Sequence, residues 1–86
     1  MKKLEKTMKA LANRRRLWIL SILKNKATAS VSELAKEMRV SIMATSRHVV
    51  ILRAAGIVHR ERSGKFVIYH IAHDLDPAAE AIVKLL

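Results

Sequence analysis

The chain has 86 residues, with 17 Lys and Arg against 7 Asp and Glu, and its formal charge of +10 points to a polyanionic partner. It has no cysteine, which excludes disulfides, thiolate metal sites and thiol catalysis. Only one Trp, one Tyr and one Phe are available, so the core of this one small domain must be mostly Leu, Ile, Val, Met and Ala.

Leu4, Met8, Leu11 and Ala12 recur at helical spacing and predict a first amphipathic helix over residues 2–12. Asn13 is placed to cap a second helix over 14–24, in which Ile19, Leu20 and Leu23 form an apolar stripe. Arg14, Arg15 and Arg16 open it, against the dipole, so a phosphate contact and a structural ion pair are both open to them. Ser30 and Glu33 have the spacing of a capping box and start a short third helix, with Leu34, Ala35 and Met38 inward. A short extra strand near 29–31 is expected to pair with a later hairpin.

Only Arg39, Val40 and Ser41 separate the third helix from the fourth, so the two must cross steeply, with Val40 in the corner. Ser41 caps the fourth helix, and Gly56 supplies the left-handed residue that ends it. A hairpin follows at once, turning at Arg62-Ser63-Gly64-Lys65, with Val67, Tyr69 and Ile71 alternating along its second strand. Asp76 and Pro77 then read as N-cap and first residue of a last helix that runs to Leu86. The order α-α-α-α-β-β-α, mainly helical with a small β-hairpin wing, is that of a winged helix-turn-helix over residues 1–86.

On the fourth helix Thr45, Val49 and Leu52, with His48 beside them, make the stripe that should face the core. Ile42, Met43, Ser46, Arg47 and Val50 lie on the opposite arc, which would face a DNA groove. Ser46 and Arg47 are its hydrogen-bonding groups, and Arg47 is suited to bidentate contact with guanine. Ile42, Met43 and Ala44 cannot donate and at best touch thymine methyls. Arg60, Arg62 and Lys65 cluster at the hairpin turn, where a wing meets the DNA backbone. The expected DNA-contact set is Ser41, Ile42, Met43, Ser46, Arg47, His48, Arg60, Arg62 and Lys65. Sixteen of the seventeen basic residues and four of the seven acids precede Asp74, leaving +12 there and −2 over 74–86, so the polyanion should avoid the C-terminal segment.

One stretch invites another reading. His70, His73, Asp74 and Asp76 are metal-ligand types, but residues three apart on a strand face opposite ways, and a strand-end histidine with a helix cap at Asp76 is the plainer reading. No phosphate loop, triad or carboxylate pair is assembled, so enzyme activity and a cofactor are not expected. The start lacks the apolar run of a secretory signal, and the stretch 17–23 falls far short of the roughly 20 residues that span a bilayer. A cytoplasmic, nucleoid-associated protein with no membrane contact is therefore expected. Absence of Gln and abundance of Lys and Arg hint at a heat-adapted source.

Several stretches in one register resemble the ArsR/SmtB family of repressors. They are Lys9-Ala10-Leu11-Ala12-Asn13 with Arg16 and Ile19-Leu20, Val31-Ser32-Glu33-Leu34-Ala35, Ser46-Arg47-His48-Val49, Leu52-Arg53-Ala54-Ala55-Gly56-Ile57-Val58, and Arg62-Ser63-Gly64-Lys65 to Tyr69. The resemblance implies a homodimeric winged-helix repressor of transcription whose fourth helix reads a palindromic operator on double-stranded DNA. Its first and last helices would pair the subunits, here through Leu4, Met8, Leu11, Ile82, Leu85 and Leu86. The chain departs from the family at the front of the fourth helix, where Ile42, Met43 and Ala44 stand in place of polar residues, and at both metal sites. Ser30 and Ser32 stand where thiolates are expected near the third helix, and residues 77–86 contain no histidine, so metal sensing by either of the family's routes is not expected, and a small organic effector is left open. The rival reading is a protein-interaction module on the same scaffold, with only non-specific DNA affinity. RNA binding lacks the stacking aromatics it needs.

Overall fold

The computed structural model describes residues 1–86. Five helices and one hairpin follow in order: α1 (Lys2–Leu11), α2 (Arg14–Lys26), α3 (Val31–Met38), α4 (Ile42–Ala54), β1 (Val58–Ser63), β2 (Phe66–Ile71) and α5 (Pro77–Lys84). This is the winged helix-turn-helix order expected from the sequence.

The helix starts follow local chemistry. Asn13 Oδ1 accepts from the Arg16 N–H at 3.1 Å. Ser30 Oγ accepts from Glu33 N–H while Glu33 Oε1 accepts from Ser30 N–H, which completes the capping box. Ser41 Oγ accepts from Ala44 N–H, and Asp76 Oδ1 accepts from Ala79 N–H ahead of Pro77. Each bond satisfies an amide that the helix itself leaves without a partner.

Several ends differ from expectation. α2 runs two residues further, to Lys26, and stops where Ala27 takes φ +73°. A non-glycine residue there is costly, and nothing in the local sequence marks it. α3 ends on Arg39 in the left-handed region, φ +57°, which turns the chain sharply into α4. The expected strand at 29–31 reduces to a single bridge: Ala29 and Tyr69 exchange two backbone hydrogen bonds, at 3.1 and 2.8 Å, before Ser30 starts α3. The hairpin turn is tighter than four residues, since Ser63 pairs with Phe66 and only Gly64 and Lys65 form the loop. Gly64, at φ +63°, is the first of the two, as a type II′ turn requires.

The core lies where α2, α3, α4 and the start of β1 meet, around Ile19, Leu20, Leu23, Leu34, Val49, Leu52, Ile57 and Val58. Val40 fills the corner of the helix-turn-helix against this cluster. Two buried hydroxyls are satisfied. Thr45 Oγ1 donates to the Ser41 carbonyl, and Thr7 Oγ1 donates to Asp76 Oδ2, both at 2.9 Å. The second bond ties α1 to the cap of α5.

Candidate nucleic-acid interface

α4 divides as its periodicity predicts. Thr45, Val49 and Leu52 are buried. On the other side Ile42, Met43 and Val50 are 59%, 68% and 61% exposed. Arg47 is exposed beside them, and Ser46 is half-buried. The only partner of the Arg47 guanidinium is the Met43 thioether one turn back, with Nη2 3.8 Å from Sδ. Its donors are otherwise free for an acceptor outside the chain.

His48 leaves the expected contact set. Its Nδ1 lies 3.2 Å from Arg16 Nη1, in the half-buried junction below the exposed arc. Because the guanidinium has only donors, Nδ1 must accept and the ring is neutral there. Burial, and then the charges of Arg16 and Arg15, push its pKa below the ordinary histidine value. A neutral imidazole facing inward offers no cation to phosphate.

Arg16 itself is structural. Its Nε donates to the Ala10 carbonyl at 2.6 Å and its Nη2 to the Lys9 carbonyl at 3.1 Å, so it caps the end of α1 while holding α4 through His48. Sequence spacing alone does not separate it from Arg14 and Arg15, which are exposed.

Three residues join α4 to β1, and α4 packs against that strand. The register places Arg60 opposite Tyr69 and Arg62 opposite Val67, on one face of the hairpin. His59 and Glu61 lie on the other face, with His70. Glu61 Oε1 is 2.9 Å from His70 Nε2, and His59 Nε2 is 3.3 Å from Asp74 Oδ1. The one acid of the wing is thus engaged away from Arg60 and Arg62. None of Arg47, Arg60, Arg62 and Lys65 forms an ion pair within the chain, and all four are exposed. Unpaired cations are what a phosphate-facing surface needs.

The strand ends at Ile71, so His70 and His73 do converge, with their rings stacked at 5.3 Å. No group of three or more His, Asp or Glu is arranged around them to hold an ion. Both nitrogens of His70 face acceptors, Nδ1 the Ile71 carbonyl and Nε2 Glu61. These partners raise its pKa, the Ile71 carbonyl most, and burial opposes them. Asp76 remains a helix cap, its carboxyl held below the usual range by the Ala79 N–H and then Thr7.

Leu11 leaves the expected subunit interface, since it is buried in the chain's own core. Ile82 and Leu86 are half-buried against that core. Leu4, Met8 and Leu85 are exposed on α1 and at the end of α5, which pack on each other.

The sequence model of the MarR family matches residues 12–65, from the cap of α2 to the hairpin turn. The chain belongs to the MarR family. Two transcriptional regulators are similar to the chain over most of their length. One is the HTH-type transcriptional regulator YgaV of Escherichia coli, 30% identical over 79 residues that make up 92% of this chain and 77% of YgaV. The other is the transcriptional activator HlyU of Vibrio cholerae, 34% identical over 92% of this chain and 69% of HlyU. The structure of reduced HlyU superimposes with a TM-score of 0.82 at 33% identity, covering 99% of this chain and 85% of that one. A homodimeric winged helix-turn-helix DNA-binding domain from Mycobacterium bovis, described as a possible ArsR-family regulator, gives 0.83 at 27% identity, over 98% and 74%. The expected ArsR/SmtB placement is therefore met in part, with MarR as the matching family and an ArsR-type protein among the structural neighbours. This MarR-family chain is a winged-helix transcriptional regulator, a non-enzymatic class. No helix in it is long and apolar enough to cross a membrane.

Proposed function

We propose that residues 1–86 act as one domain, a homodimeric repressor of the ArsR/SmtB type that binds double-stranded DNA through α4 and the β1–β2 wing. The observation that carries this reading is the set of free cations, Arg47, Arg60, Arg62 and Lys65, on the two elements a winged helix presents to a duplex. Ser41, Ile42, Met43 and Ser46 complete the contact surface. Leu4, Met8 and Leu85 are exposed apolar side chains of the terminal helices available to a second subunit, with Ile82 and Leu86 at the margin, and the homodimeric neighbour supports pairing of two such chains. Repression follows from occlusion: a bound dimer covers the DNA that polymerase needs. The serines at positions 30 and 32 and the lack of histidine in α5 support a regulator without the family's metal inputs. Its place of work is the cytoplasmic nucleoid.

The test is a gel-shift titration on duplexes selected from a random pool. Arg47→Ala should weaken preferred duplexes by about tenfold or more and relax the preference, a discrimination of about 1–3 kcal/mol. Arg62→Ala should weaken all sequences about equally. Unchanged affinity in both variants would point instead to a protein-interaction module, which the exposed Ile42 and Met43 favour. A promoter fusion whose output rises with added protein would exclude repression.

A further inference from the structure

We infer that α4 selects its operator through the 5-methyl groups of thymine, with Ile42, Met43 and Val50 as the specificity-determining side chains. This rests on the DNA-binding reading above and names what the exposed helix face recognises. Few polar groups are left on that face. Ser41 Oγ is used as the helix cap, Thr45 is buried with its hydroxyl on the Ser41 carbonyl, and His48 is held by Arg16. Ser46 and Arg47 remain as hydrogen-bonding side chains, and Arg47 lies along Met43. The rest is apolar surface from Ile42, Met43 and Val50, spaced at i, i+1 and i+8 and all more than half exposed.

The major groove holds one apolar group among the four natural bases, the C5 methyl of thymine. Every other edge presents donors and acceptors. Pressed under Ile42 or Met43, those groups would lose water and gain no hydrogen bond. The apolar side chains therefore favour thymine by contact and disfavour the other bases by dehydration, while Arg47 is free to bond a neighbouring guanine. Charge fits a polyanion, and the C5 methyl belongs to the thymine of DNA. α4 contains no Asp or Glu, the cations that flank the apolar face are unpaired, and residues 1–73 carry +12.

The experiment replaces thymine by deoxyuridine, one position at a time, in a duplex selected by the wild-type dimer. This removes the methyl and leaves base pairing and the O4 acceptor intact. One or two positions in each half-site should lose about three- to fivefold in affinity, the value of one buried methyl-sized group. Ile42→Ala, Met43→Ala and Val50→Ala together should bring thymine and uracil duplexes to nearly equal affinity, whereas Arg47→Ala should weaken both and keep their ratio. Uracil duplexes bound as well as thymine duplexes at every position would overturn the inference and leave DNA binding standing. Binding to no duplex at low salt would overturn the DNA reading itself.

Discussion

His48 and His70 respond to acid with opposite sign, and each is tied to a different part of the interface. The Ile71 carbonyl and Glu61 hold the His70 pKa above its unfolded value. Its stabilising effect is thus complete below about pH 6.5 and is lost as pH rises through the folded value. Burial and Arg16 hold His48 below its unfolded value, so its contribution is complete at neutral pH and lost as pH falls through the folded value. Thermal melts across pH 5 to 8 should show His70→Gln costing more at pH 5.5 than at pH 8. His48→Gln, whose amide oxygen can still accept from Arg16, should flatten the acid side of the profile. An identical profile in wild type and both variants would show that neither histidine is coupled to folding. These two residues also mark the limit of what the sequence makes legible. His70 could be placed near a strand end, but its link to Glu61 needs the hairpin register. His48 and Arg16 are separated by 32 positions, and no periodicity relates them.

At the scale of elements, what is local was readable. Asn13, Ser30, Ser41 and Asp76 act as caps because each reaches an amide three residues on, a distance the sequence contains. The exposed arc of α4 follows from the 3.6-residue period for the same reason. The end of α2 at Ala27 and the loss of the third strand to one bridge were not readable, since both depend on how α2 and β2 pack. Leu11 was misplaced because an apolar stripe on a terminal helix does not say which of its members the subunit itself covers. Asp76→Ala should remove the α5 cap and leave the Thr7 hydroxyl without its acceptor, at a cost of about 1–2 kcal/mol in urea denaturation. Thr7→Val removes only the bond between α1 and α5, so it should cost less. The reverse order would mean that the cap matters less than the link.

For the whole molecule, charge sets the behaviour. If six phosphates are neutralised, affinity should fall roughly a thousandfold between 50 and 200 mM salt, and removing Arg62 should lower the salt slope by about 0.9. Salt-independent binding would refute the electrostatic picture. Leu85 is 80% exposed, so Leu85→Glu should leave the monomer folded. In the proposed dimer it should shift sedimentation towards the monomer and cost binding to paired half-sites far more than binding to one. Unaltered sedimentation would place the subunit contact elsewhere. Family membership was legible only in part at this scale. Most of the motif strings that resemble ArsR/SmtB fall within residues 12–65, the stretch that the MarR model matches.

Arg16 grips the last carbonyls of α1 and the His48 ring of α4 with one planar, always-charged group. In the proposed dimer this makes each subunit a stiff yoke, with its coupling edge and its reading head fixed at one angle. One base pair inserted between operator halves turns them by about 35° relative to each other, which such a yoke has no hinge to follow. Wild-type protein should therefore reject the lengthened site, and Arg16→Ala should soften that rejection while weakening the fit to the natural spacing.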